Sequence, residues 1–226
     1  MEIQPIPGFS QPVSSLTHLL GAGVFTLLTP PLWHRLRHWR YRWTTILFSF
    51  SAVFLLVMSG VYHLLAQEGT AHRVLQRLDH AAIFVLIAGS FTPLQPAFFP
   101  TWWGSWGVLL LIWTLAIVGI ILKSVFFDAI PEGIGLTLYL SLGWIGLGTG
   151  IALGRRFGFI FIRPLILGGV AYTLGAIADF TRWPVLIPGI VGPHELMHLA
   201  VLVGIFGFWR FFFTRLPAAT RAASTP

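Results

Sequence analysis

The sequence predicts an all-α fold, an integral membrane bundle of seven transmembrane helices. Three observations predict it. Only 9% of the 226 residues are Asp, Glu, Lys or Arg, where a soluble domain carries about 25%. Hydrophobic residues make up 56% and the mean hydropathy is +0.81, which excludes both a charged soluble shell and a disordered chain. The apolar residues fall into seven continuous runs, each near the roughly 20 residues a helix needs to cross the hydrocarbon core. The runs are too long and too uniform for the alternating strands of a membrane β-barrel.

The first run spans Ser14 to Leu32, and Met1 to Pro12 ahead of it lacks the basic start and apolar centre of a signal peptide. It is therefore expected to be retained as a helix. The others span Trp43 to Ala66, Asp79 to Phe98, Trp103 to Lys123, Ile134 to Leu153, Phe159 to Phe180 and Pro193 to Phe213. The organisation expected is a short N-terminal segment (1–13), one transmembrane domain (14–214) and a disordered polar tail (215–226). No strong internal repeat supports a transporter built from inverted halves. Gly143, Gly146, Gly148 and Gly150 read as a close helix-packing face.

The net charge of +7 is carried between apolar blocks, so it reads as loop charge setting topology and not as a nucleic-acid surface. Arg73, Arg77, Lys123 and Arg182 fall on the membrane side that holds the N-terminus, and the other ten basic residues fall opposite. The positive-inside rule then places the C-terminus in the cytoplasm of a plasma (inner) membrane protein. There are no cysteines, which excludes disulfides and thiolate metal sites.

Ionisable residues inside spans mark function by default. Ser59 and His63 lie near the end of helix two, Asp79 and His80 open helix three, and His194, Glu195 and His198 lie in the first turns of helix seven. Odd helices start, and even helices end, on the N-terminal side, so all of these share one membrane depth. His194 and His198 are four apart and face one side of a helix. Two imidazoles at that spacing can hold Zn²⁺, with His63 as a third ligand and water in the fourth position, the arrangement of a catalytic site. Asp79 can hydrogen-bond that water or orient a ligand. Ser59 alone reads more simply as a hydroxyl bonded back to a helix carbonyl. His18 and His80 read as packing or interface residues.

Three blocks resemble the hemolysin III family and its relatives, the progestin and adiponectin receptors and the alkaline ceramidases. They are Ser59-x-x-x-His63, the stretch Leu78-Asp79-His80-Ala81-Ala82-Ile83-Phe84 continuing to Ala88-Gly89-Ser90-Phe91-Thr92-Pro93, and His194-x-x-x-His198. The resemblance covers Ser14 to Phe213. It implies a zinc ion held by His63, His194 and His198, with Asp79 and Ser59 beside the water. The family's N-terminal block survives as Ser15-Leu16-Thr17-His18, with Ser14 where Asn is usual and Gln11 near where Glu is usual.

The function expected is metal-assisted hydrolysis of a lipid amide or ester. Asp79 would take the proton from the attacking water, and Ser59 would donate to the developing oxyanion. The partners are membrane lipids and a lipid substrate or ligand within the bundle. The alternatives are a receptor with structural zinc, a cytolytic membrane protein, and an intramembrane metalloprotease, because His194-Glu195-Leu196-Met197-His198 also reads as H-E-x-x-H. The protease reading leaves His63 and Asp79 without roles.

Overall fold

A computed structural model describes residues 11–65 and 69–222. All seven helices expected are present and long and apolar enough to cross a membrane. They are α1 (Pro12–Arg35), α2 (Trp39–Leu64), α3 (Thr70–Phe98), α4 (Val108–Val125), α5 (Glu132–Phe157), α6 (Arg163–Thr181) and α7 (Pro193–Ala222). A π-helical turn, Trp103–Gly107, leads into α4, and together they span the fourth apolar run. Pro12 sits at the first position of α1, where its missing N–H costs nothing.

The spans are correctly placed in the sequence, but several ends differ. Helix α3 begins at Thr70, nine residues before the expected start, so Asp79 lies well inside the helix and not at its dipole end. The added turns carry Arg73 and Arg77. Hydropathy marks the membrane crossing, whereas the hydrogen-bonded helix continues past it into water. For the same reason α7 continues to Ala222, burying Leu216 and Thr220. The disordered tail expected from residue 215 is thus corrected over 215–222, and residues 223–226 lie outside the described residues, as do 1–10 of the N-terminal segment.

Helix α3 is the centre of the bundle. Its span is 78% buried, against 11% for α5 and for α6. One core cluster joins α1, α2, α3 and α7 through Phe25, Leu56, Leu94, Ile205 and Phe212. A second joins α3 to α4 and α5 through Phe84, Phe91, Ile112 and Leu142. Helices α6 and α7 meet backbone to backbone. A Cβ on Gly207 would stand 2.6 Å from the Pro164 carbonyl oxygen, and one on Gly168 would stand 3.0 Å from that of Gly204. Small residues permit this approach, and nearer the end of α6 Gly175 brings it against Met197 and Ala200 of α7. The glycine face expected on α5 is corrected: only Gly146 abuts a neighbour, Phe91, while Gly143, Gly148 and Gly150 face open space.

Candidate metal centre

The last turn of α2 and the first two turns of α7 come together at one end of the bundle. His63 and His198 are buried there and His194 is partly buried. The Nε2 of His194 lies 3.3 Å from that of His63 and 3.1 Å from that of His198. The three side chains offer ligand atoms all within 4.8 Å of one another.

The outer nitrogens explain why the inner ones converge. His63 Nδ1 donates to the Gln11 Oε1, and His194 Nδ1 donates to Asp179 Oδ1 at 3.0 Å. An amide or carboxylate oxygen can only accept, so the proton belongs on Nδ1 in both rings. With both rings neutral, the two Nε2 atoms present lone pairs to each other at 3.3 Å. A cation at the common point resolves that repulsion. With zinc–nitrogen bonds of 2.0–2.1 Å, the edge of a ligand tetrahedron is about 3.3 Å, which matches the separations found. The residues present therefore fit a metal ion, and Asp179 and Gln11 supply the outer partners that fix ligand orientation.

The polar groups around the cluster have partners for the most part, while the Nδ1 atoms of His18 and His198 are buried without one. His18 is buried, its ring 3.9 Å from that of His198 and tilted by 32°, with its Nε2 3.3 Å from the His198 carbonyl oxygen. This is the packing role expected. Ser59 is buried one turn before His63 on α2. Glu195 is buried too: it accepts at 2.9 Å from the Ser14 hydroxyl and at 2.9 Å from the Gly192 N–H. It lies at the third position of α7 and reaches back to the residue before the helix, which is half of a capping box. Both carboxylate oxygens are occupied by structural bonds, which argues against a general base of the H-E-x-x-H kind. Ser14, standing where the family usually has Asn, thereby ties α1 to α7.

A cavity of about 520 Å³ opens beside the histidines. His63, Asp79 and His194 line it, with Arg182, Val185 and Ile190. The Asp79 side chain is 13% exposed. The structure thus gathers His63, His194, His198, Asp79 and Ser59 at one end of the bundle. The sequence reading missed Asp179 and gave Gln11 no role. Asp179 was within reach: it is one of seven carboxylates in the chain, and it ends an even helix, at the shared membrane depth.

Seven membrane-crossing helices with a largely buried three-histidine cluster near one end define a class: multi-pass integral membrane proteins with a candidate metal centre. Residues 10–209 match the family described as Haemolysin-III related, and the chain belongs to that family. Hemolysin-3 of Bacillus cereus is 35% identical over 144 residues, 63% of this chain and 62% of its own length. The Hemolysin-3 homolog of Bacillus subtilis (strain 168) is 32% identical over 162 residues, 70% of each chain. Heptahelical transmembrane protein 4 of Arabidopsis thaliana is 29% identical over 188 residues, covering 75% of this chain and 48% of its own.

Proposed function

We propose that this protein is a zinc-dependent hydrolase of a lipid amide or ester, with His63, His194 and His198 as the metal ligands. The observation that carries the reading is the convergence of three imidazole Nε2 atoms beside Asp79, on a cavity able to admit part of an amphiphile. When bound, zinc supplies Lewis acidity, polarising a carbonyl and acidifying water. The chain's own groups do the rest. Gln11 and Asp179 hold the His63 and His194 rings with Nε2 inward. Asp79 accepts the proton of the attacking water and passes it to the leaving group. Ser59, buried one turn before His63 on α2, donates to the developing oxyanion. The site lies near one leaflet, where a lipid substrate can enter from the membrane. The excess of Arg in the loops on the opposite side supports a reading in which that leaflet is the outer one and the C-terminus is cytoplasmic.

A receptor with a structural metal is the main rival, and the cavity reaching both His194 and Asp79 favours the hydrolase. The test is a lipid-hydrolysis screen on the purified zinc-loaded protein, with His198→Ala as control. Acyl-chain release by the wild type and none by the variant supports the proposal. No release from any lipid amide or ester by a protein that holds its zinc overturns it.

A further inference from the structure

The two ends of the bundle differ in charge more than topology requires. By chain order Glu2 precedes α1, Glu68 and Asp79 fall at the α2–α3 end, Asp128 and Glu132 at the α4–α5 end, and Asp179 and Glu195 at the α6–α7 end. Every Asp and Glu of the chain is therefore on the histidine side. The opposite end carries ten arginines and no Asp or Glu. Orientation is set by Lys and Arg, and acidic residues contribute little to it, so the one-sided placement of the carboxylates has no topological cause. Exposed Trp39, Trp102 and Trp103 mark the headgroup level at the arginine end.

The arginines there rest on neutral partners. Arg35 lies over Phe213, Arg40 over Trp106 and Arg42 over Trp33, each on a ring of its own. Arg156 and Arg215 instead share a platform. Phe157 and Phe161 stack with ring centres 5.1 Å apart and planes inclined by 29°. The Arg156 guanidinium sits 5.0 Å from the centre of the Phe157 ring, and that of Arg215 sits 5.3 Å from the centre of the Phe161 ring, both within cation–π range. Phe98 of α3 and Phe211 of α7 pack against the pair. Arg156 also donates at 2.9 Å to the carbonyl of Phe98, the last residue of α3, whose oxygen has no partner within its own helix. That bond fixes the side chain and uses one of five donors. The Nε of Arg215 is buried and has no hydrogen-bond partner among the described residues. An unpaired guanidinium donor is costly, and an anionic acceptor at this point removes the cost.

We propose that Arg156 and Arg215, on the Phe157–Phe161 platform, form a docking site for the phosphodiester headgroup of an anionic phospholipid in the leaflet opposite the histidines. The guanidiniums engage the phosphate oxygens in the planar fashion that suits them. The rings and the Phe98 carbonyl already hold the side chains, so little freedom is lost on binding. The spans of α5 and α6 are each only 11% buried, and their outward faces receive the acyl chains. The site is separate from the histidine cluster and does not rest on the hydrolase reading.

The test uses the full-length protein in micelles holding equal amounts of phosphatidylglycerol and phosphatidylcholine. Native mass spectrometry reads the ratio of the two among the lipids retained. The wild type should favour phosphatidylglycerol about tenfold or more, and Arg156→Gln and Arg215→Gln should each lower that preference about fivefold, the worth of one basic residue at an anionic surface. Arg215→Gln breaks no backbone bond, so it reads the site independently of any effect of Arg156→Gln on the end of α3. Arg37→Gln is the control: it removes the same charge from an exposed position between α1 and α2, and should change the preference by less than about twofold. Inorganic phosphate, compared with chloride at equal ionic strength, should leave the preference intact. Equal retention of both lipids by the wild type overturns the proposal, as does an undiminished preference in Arg215→Gln. A loss in Arg37→Gln as large as that in Arg215→Gln overturns it too, because the attraction is then diffuse charge. Abolition of the preference by inorganic phosphate alone assigns the arginines to a free anion and overturns the lipid assignment.

Discussion

Replacing Asp179 tests whether the α6 carboxylate supports a metal site at all. It touches none of the proposed zinc-binding atoms, so a loss of zinc can come only through His194. Asp179 Oδ1 lies 3.0 Å from His194 Nδ1, and its side chain is 23% exposed, so solvent screens the contact only in part. Outer partners of this kind are worth about 10- to 100-fold in metal affinity, or roughly 1.4–2.8 kcal/mol. Asp179→Asn keeps a neutral acceptor in place and gives up the charge, which carries about half the bond; the loss expected is about tenfold. Asp179→Ala removes the acceptor and should approach 100-fold. The assay is zinc competition against a chelator of known affinity, with Asp128→Asn as control. Asp128 pairs with Arg77 and is 85% exposed, and its replacement should leave zinc affinity unchanged. If Asp179→Ala binds zinc as tightly as the wild type, the convergence of the three histidines is not maintained by Asp179 and the argument from ring orientation fails.

Asp79→Asn should abolish lipid hydrolysis while most of the zinc stays, read by turnover and metal analysis on one preparation. Glu195→Gln should do the opposite, lowering thermal stability by about 1–3 kcal/mol through its bonds to Ser14 and Gly192 while turnover persists; an inactive Glu195→Gln beside an active Asp79→Asn would restore the protease reading. Gly207→Ala should destabilise the α6–α7 contact by about 1–3 kcal/mol, since its Cβ would meet the Pro164 carbonyl at 2.6 Å, and an unchanged melting temperature would show that the helices separate freely. A C-terminal reporter active only in the cytoplasm should be active, and one active only outside it should be silent.

The parts of this protein legible in its sequence are those fixed by the bilayer. Seven apolar runs gave seven helices because a span must satisfy its backbone internally. Counting crossings placed His63, Asp79 and His194 at one end, because membrane depth follows from chain order. Helix ends were less legible: the additional turns of α3 and α7 lie where polar residues also form helix, and hydropathy has no hold there. The α5 glycines misled because small residues permit close packing without requiring it. The pairing of Asp179 with His194 was not visible as a contact. It depends on how closely α6 approaches α7, which Gly175, packed on Met197 and Ala200, sets in three dimensions. The bond from Ser14 to Glu195 joins residues 181 positions apart, and no local pattern announces it.

The central claim is that three histidines hold one metal ion, and elemental analysis of the purified protein tests it most directly. The wild type should carry about one zinc per chain, and His63→Ala and His198→Ala should each lose most of it. Full zinc in both variants, or a folded wild-type protein that takes up no zinc from a zinc-buffered solution, would contradict the account.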